Sequence, residues 1–261
     1  MIELSEKIAS QLIQDGYFKF NLLSQNFKKA NSILISIVKK QIKNKFINLE
    51  KIHKNISIEE LNNLRLHIFN KLNNNEDFKN SIFSSAEKFI VETVGNELAC
   101  SDMNLSIQLP GDNSSLLDMH SDFFSGESIF QINLWIPFVS VKKTQSMFII
   151  NPLDSLIILK KIKKNKIIDF KKILQKYKKK MKWINLKKGE AILFSANCLH
   201  GNIVNEEKNT RWSINVRYKN LYSPYSNLEN EKKIGGFYKP LSLKAISTFN
   251  LRHNFYEIIK K

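Results

Sequence analysis

Residues 211–218 read Arg211-Trp212-Ser213-Ile214-Asn215-Val216-Arg217-Tyr218, polar and apolar side chains taking turns. A period of two belongs to a β-strand, whose successive side chains leave on opposite faces. One face therefore carries Trp212, Ile214 and Val216, and the other carries two guanidinium groups, a hydroxyl and an amide. A half-solvated strand also alternates in this way, but arginine usage argues for more. Of 41 basic residues only Arg65, Arg211, Arg217 and Arg252 are arginine. Where lysine serves nearly everywhere else, an arginine marks a place that needs a planar, two-pronged donor for a carboxylate.

Working outward, further short β-rich runs cover 104–109, 128–139, 147–150 and 191–195, separated by turn residues such as Pro110-Gly111-Asp112 and Lys188-Gly189-Glu190. The first hundred residues differ. Leu4, Ile8, Leu12 and Ile13 recur at helical spacing until Gly16, after which Tyr17 to Phe20 is extended. Helical spacing returns over 27–42, from Ser57 with Glu60 as a capping box, and over 78–94. Helices in one half and many short strands in the other predict an α+β fold: a double-stranded β-helix (jelly-roll or cupin-like barrel) with flanking N-terminal helices. We expect one domain over 1–261, with a mostly helical part (1–100), a barrel core (101–225) and a C-terminal extension (226–261). A lysine-rich stretch, about 157–182, reads as a helical insertion in which Ile168, Ile173, Leu174 and Tyr177 recur at helical spacing.

Hydrophobic residues at 43% and 18 phenylalanines place the chain among globular proteins rather than disordered ones. Cys100 and Cys198 are far apart, so neither a disulfide framework nor a zinc cluster is indicated. No apolar run is long enough for a signal peptide or a membrane span, and a cytoplasmic protein is expected. A net charge of +17 raises nucleic acid or anionic lipid as partners. Its lysines are scattered and concentrate only over 160–188, which reads as solvated surface and favours attraction of an anionic small molecule over a nucleic-acid face.

His120-Ser121-Asp122 puts an imidazole and a carboxylate two residues apart, able to grip one ion from the same face. His200, beside Gly201, supplies a third donor. Two histidines and one carboxylate are the facial set of non-haem iron(II) enzymes, which leaves positions open for co-substrate and dioxygen. Cys198 and the other histidines, His53, His67 and His253, read as packing or surface residues.

The order His120-x-Asp122, His200-Gly201, then Arg211-x-Ser213, resembles the phytanoyl-CoA dioxygenase branch of the 2-oxoglutarate oxygenases over about 108–218. The run 211–225 further resembles oxygenases of bacterial carbohydrate gene clusters. The resemblance implies Fe(II), 2-oxoglutarate as co-substrate and O2, with succinate and carbon dioxide released. It implies His120, Asp122 and His200 as metal ligands and catalytic centre, and Arg211 and Ser213 as anchors of the distal carboxylate of 2-oxoglutarate. Gln131, Asn133 and Trp135 fall on one face of a strand that lines the co-substrate pocket in the family, so Asn133 and Trp135 are the next pocket residues, with Asn202 beside His200. Arg217 competes with Arg211 for the oxo-acid. The family's turn after the mid-barrel strand is replaced here by Ile149-Ile150-Asn151-Pro152. Halogenating relatives lack the carboxylate ligand; Asp122 is present, so hydroxylation of a small anionic or sugar-linked metabolite is expected. The alternatives are an oxo-acid-independent metal cupin, an isomerase or dioxygenase with no use for Arg211, and a basic binding module.

Overall fold

The computed structural model describes residues 2–43, 47–164, 175–224 and 236–253. Helix α1 (Ile2–Asp15) runs into strand β1 (Tyr17–Asn21) through Gly16. Gly16 takes a φ of +81°, and a Cβ there would lie 2.6 Å from Cys198 Sγ, so the turn admits only glycine. Helices α2 (Ser24–Ile42), α3 (Ile58–Asn73) and α4 (Glu76–Val94) follow. Each buries one stripe at three- and four-residue steps: Phe27, Ala30, Leu34 and Val38; then Leu61, Leu64, Ile68 and Leu72; then Phe78, Ile82, Ala86 and Ile90. The capping box expected at Ser57 and Glu60 is present in both directions, and the Asn75 side chain accepts from the Phe78 amide to start α4.

The strands form two antiparallel sheets. Their ranges are β2 (Leu98–Cys100), β3 (Asn104–Gln108), β4 (Ile132–Pro137), β5 (Phe148–Ile150), β6 (Met181–Trp183), β7 (Glu190–Ser195), β8 (His200–Gly201), β9 (Arg211–Asn220) and β10 (Lys239–Ser242). The large sheet runs β1-β7-β4-β9-β2-β10 with β3 also on β9, and the small one runs β6-β5-β8. Helix α5 (Pro152–Lys164) leaves β5, and α6 (Ala245–Arg252) follows β10. The apolar face of β9 turns toward the helices. Trp212 and Ile214 are fully buried there, and Trp212 Nε1 donates to Leu49 O at 2.9 Å. Phe138, after β4, stacks with Phe27 of α2 and Phe78 of α4. Helices and large sheet thus share one core, the α+β arrangement read from the sequence.

Three boundaries differ from expectation. The strand expected over 128–139 spans only Ile132–Pro137, because the Ser128 hydroxyl accepts from the Phe130 amide and donates to Pro224 O, drawing 128–131 into a turn. The lysine-rich helix begins earlier, at Pro152, where Asn151 Oδ1 accepts from the Asp154 amide at 2.8 Å, an N-cap ahead of a proline in the first turn. Its expected continuation to 182 is also corrected: Met181–Trp183 is a strand pairing with β5, while Ile168, Ile173 and Leu174 lie outside the described residues. Among the described residues no helix is long and apolar enough to cross a membrane.

Candidate metal centre

His120 and His200 face each other across two backbone hydrogen bonds, each amide donating to the other's carbonyl at 2.9 Å. The pairing continues outward, with the Asn202 amide on Leu117 O (3.0 Å) and the Leu117 amide on Asn202 Oδ1 (2.5 Å). Gly201 makes it possible, since a Cβ there would sit 2.9 Å from Leu117 O. Ser121 is extended and Asp122 opens a short 3-10 turn. His120-x-Asp122 is therefore not on a regular strand, as the alternation argument assumed; one extended residue between them suffices to turn both side chains the same way.

The donor atoms of His120, Asp122 and His200 lie within 4.8 Å of one another, and His120 Nε2 is 3.5 Å from Asp122 Oδ1. Neighbouring ligands of one ion, at bonds of roughly 2.1 Å, stand about 3 Å apart, so a small closure completes such a site. Both rings are oriented for it. His120 Nδ1 is 2.7 Å from Asp118 O and His200 Nδ1 is 2.9 Å from Cys198 O, contacts that require a proton on Nδ1 and leave the Nε2 lone pair free. Burial, reinforced by the charge of His120, lowers His200 to about 4, so it is a neutral donor at physiological pH. The donor set thus suits a divalent ion.

Burial pushes the Asp122 carboxyl up, but His120, His200, Arg217 and Asn133 outweigh it and hold the group well below the usual carboxylate range. Asn133 Nδ2 donates to Oδ2 at 2.7 Å, and Arg217 Nη2 contacts Oδ1 at 3.2 Å. Those two partners sit opposite each other in register between β4 and β9. Behind them Arg217 Nε is 3.3 Å from Glu127 Oε1, a fully buried carboxylate. The Tyr238 hydroxyl lies between Glu127 Oε2, at 2.6 Å, and Gln131 Oε1. Arg217 is thus neutralised by two carboxylates.

Arg211 is in the opposite condition. It is 3% exposed, and among the described residues its Nη1 and Nη2 reach only Ser146 O (3.2 Å) and Ser106 Oγ (2.9 Å) and its Nε has no partner. Desolvation lowers it to about 10. Ser213 Oγ and Asn215 Oδ1, next on the same face of β9, are buried and also without partners among the described residues. All three line a cavity of about 570 Å³ that contains His120, Asp122 and His200. Buried polar groups are nearly always satisfied, so three neighbouring unsatisfied ones on one cavity wall are a candidate ligand-facing row.

Trp135 and Asn202 line the same cavity, as does Arg217. Asn133 stands behind Asp122 instead, and Gln131 falls outside β4 in the Tyr238 group. Cys198 packs in the core beside Gly16, its thiol raised to about 11 by burial. His53 contacts Thr210 Oγ1 at 2.9 Å, away from the site. Glu127, Tyr238, Ser106 and Arg65 are site-region residues that sequence reasoning passed over; only Arg65 carried a signal, as one of four arginines.

No family model matches the sequence, and no curated protein matches it. Solved structures do. The non-heme monooxygenase ThoJ in its nickel complex superposes with a TM-score of 0.57 at 12% identity, covering 97% of this chain and 96% of that one. The non-heme alpha-ketoglutarate-dependent carbocyclase SnoK from nogalamycin biosynthesis gives 0.55 at 13%, covering 91% and 96%. CytC3 with Fe(II) and alpha-ketoglutarate gives 0.50 at 14%, covering 85% and 79%. At these identities the likeness establishes a shared fold, the double-stranded β-helix with flanking helices.

Proposed function

We propose that the protein is a non-haem iron(II), 2-oxoglutarate-dependent oxygenase. His120, Asp122 and His200 hold the metal, and Arg211 with Ser213 receives the distal carboxylate of 2-oxoglutarate. One observation carries the reading. A fully desolvated arginine without an anionic partner among the described residues shares a cavity with two histidines and a carboxylate whose donor atoms converge. A metal-binding protein without an oxo-acid has no reason to keep such a cation in its interior, where an unpaired charge is costly. The solved relatives named above, described as non-heme or holding Fe(II) and alpha-ketoglutarate, support this class. Within it, the residue order favours the phytanoyl-CoA dioxygenase branch.

Iron(II), with 2-oxoglutarate and dioxygen, supplies the oxidising power for attack on a substrate C–H bond, succinate and carbon dioxide being the co-products. The chain's own residues position and protect. Asp118 O and Cys198 O fix the imidazoles, and Asn133 and Arg217 hold Asp122 so that one oxygen faces the histidines. Arg211 and Ser213 set the oxo-acid's distance along β9, while Trp135 and Phe194 wall the cavity with apolar surface and keep water from the reacting groups. Asn202 ties the Leu117 loop to the His200 strand beside the pocket. The substrate is a small anionic or sugar-linked metabolite, and the carboxylate among the ligands favours hydroxylation or a related oxidation over halogenation.

The test is spectroscopic. Protein prepared without oxygen is given iron(II) and 2-oxoglutarate, and its visible spectrum is recorded beside His120→Ala and Arg211→Ala. A weak charge-transfer band in the wild type, lost in the first variant and needing far more 2-oxoglutarate in the second, is the expected result. Stoichiometric metal binding without any band would instead select the oxo-acid-independent cupin.

A further inference from the structure

We infer that Arg65 of α3 reads an anionic group, a carboxylate or a phosphate, on the substrate at the open end of the cavity. Calling that ligand the substrate rests on the oxygenase reading; the anion site itself does not. The cavity lining contains three of the chain's four arginines, Arg65, Arg211 and Arg217, and no lysine among the described residues. In a chain with 41 basic residues, that distribution is a selection for the guanidinium fork rather than for positive charge, which lysine supplies everywhere else.

Two of the three forks have their tasks. Arg217 is held by Asp122 and Glu127, and Arg211 is deep and faces the position given to the oxo-acid. Arg65 is half-buried and among the described residues touches only neutral acceptors, Asn62 Oδ1 at 2.7 Å and Ser115 Oγ at 3.4 Å. Asp112 senses its charge, but its Oδ1 accepts from the amide and hydroxyl of Ser114, at 2.7 and 2.6 Å, and its buried Oδ2 makes no hydrogen bond among the described residues. No carboxylate lies within ion-pair distance of Arg65 among the described residues. Its neighbours suit a two-part ligand: Ser115 offers a hydroxyl beside the fork, while Leu116 and Leu117, 38% and 55% exposed, offer apolar surface at the entrance.

Charge balance points the same way. A divalent ion with Asp122, a doubly charged oxo-acid and Arg211 sums to neutrality, and Arg217 with Glu127 does likewise. That leaves Arg65, near Asp112 but out of ion-pair contact with it, as the cation a substrate meets first. An anion there is oriented with the rest of the molecule directed inward, toward His120 and His200.

The experiment fills the deep site first. Protein loaded with nickel(II) and saturating 2-oxoglutarate is titrated calorimetrically with inorganic phosphate and, separately, with benzoate, for the wild type, Arg65→Gln and Arg65→Lys. The expected result is binding of at least one anion by the wild type, weakened at least tenfold in Arg65→Gln and partly restored in Arg65→Lys, with 2-oxoglutarate affinity unchanged across all three. Which anion binds better distinguishes phosphate from carboxylate recognition. Equal affinities in wild type and Arg65→Gln, or no binding of either anion by the wild type, would overturn the inference while leaving the oxygenase reading intact. Should 2-oxoglutarate itself fail to bind, the oxygenase reading falls, and the same titrations on the metal-free protein still decide whether Arg65 is an anion site.

Discussion

Replacing Arg211 with methionine should leave the ligand-free protein about as stable as before and weaken 2-oxoglutarate binding severely. The structure sets the magnitude. Burial takes the guanidinium from its ordinary 12.5 to about 10, which corresponds to about 3 kcal/mol of unfavourable charge burial. Against that stand hydrogen bonds to Ser146 O at 3.2 Å and Ser106 Oγ at 2.9 Å, together worth about 3–4 kcal/mol at the lower end of the range for a charged donor. The terms nearly cancel, and methionine fills similar volume without a charge. The change in stability is thus expected within about 1–2 kcal/mol of zero, or a melting shift of a few degrees at most. Binding has no such compensation, because the oxo-acid carboxylate loses a charge-assisted two-pronged partner. Roughly 3–4 kcal/mol is expected to go, a weakening of about two to three orders of magnitude. Thermal unfolding with and without nickel(II) and 2-oxoglutarate reads both quantities in one experiment. A variant that melts more than about 10 °C lower yet still gains stability from 2-oxoglutarate would refute the reasoning, for Arg211 would then be a structural brace.

Three further outcomes follow from the geometry. Gly201→Ala should push the Leu117 and Asp118 backbone off β8, since the added Cβ would meet Leu117 O at 2.9 Å; metal affinity should fall at least tenfold because Asp118 O no longer orients His120, and unchanged affinity by metal titration would contradict this. In metal-free protein, His200 titrates near 4 when folded and near 6.5 when unfolded, so the unfolded chain takes up a proton first as pH falls. Its contribution to stability is complete above pH 6.5 and lost toward pH 4, about 3 kcal/mol in all; urea unfolding across that window should show the slope, and His200→Gln should flatten it. Ser57→Ala removes the α3 cap, in which Ser57 Oγ accepts from the Glu60 amide at 3.3 Å, and should lower stability by about 1 kcal/mol with no effect on metal binding; a loss of metal would show that the start of α3 supports the His120, Asp122 and His200 donors.

Legibility followed period and length. The helices α1 to α4 and the strands β1, β3, β7 and β9 each show several turns of one repeat, and their bounds match the expectation to within a few residues. Strands β2, β6 and β8 hold two or three residues, too few for any period to register; β5, equally short, was legible only as an unbroken apolar run, Met147 to Ile150. Their pairing is decided by long-range contacts such as His200 against Ile149. The site divides in the same way. Residues proposed to touch a ligand through chemistry rare in this chain, its histidines and arginines, stood out in the sequence. Residues that act by holding others did not: Glu127 behind Arg217, Tyr238 behind Glu127, and the carbonyls of Asp118 and Cys198. Any acidic residue or backbone oxygen looks alike until the fold brings it up. Asn133 shows the boundary between the two groups, for its place on β4 was readable but its partner, Asp122, sits on a 3-10 turn that alternation cannot foresee.

Strand β9 joins these two levels. Its apolar residues Trp212, Ile214 and Val216 are locked into the helical core, Trp212 through a hydrogen bond to Leu49 O. Its polar residues reach the cavity from the other face at the same time. Register pairs Ser213 with Ser106 on β3, and Asn215 with Trp135 on β4. A slip by one residue would thrust two arginines into the helix-packed core and empty the cavity of its polar row, a change opposed by both the apolar burial lost and the charges newly desolvated. The packing that makes the fold stable is therefore what sets the height of Arg211 and Ser213 above the His120, Asp122 and His200 donors. The free energy for holding an unpaired cation at that height comes from the opposite face of the same strand.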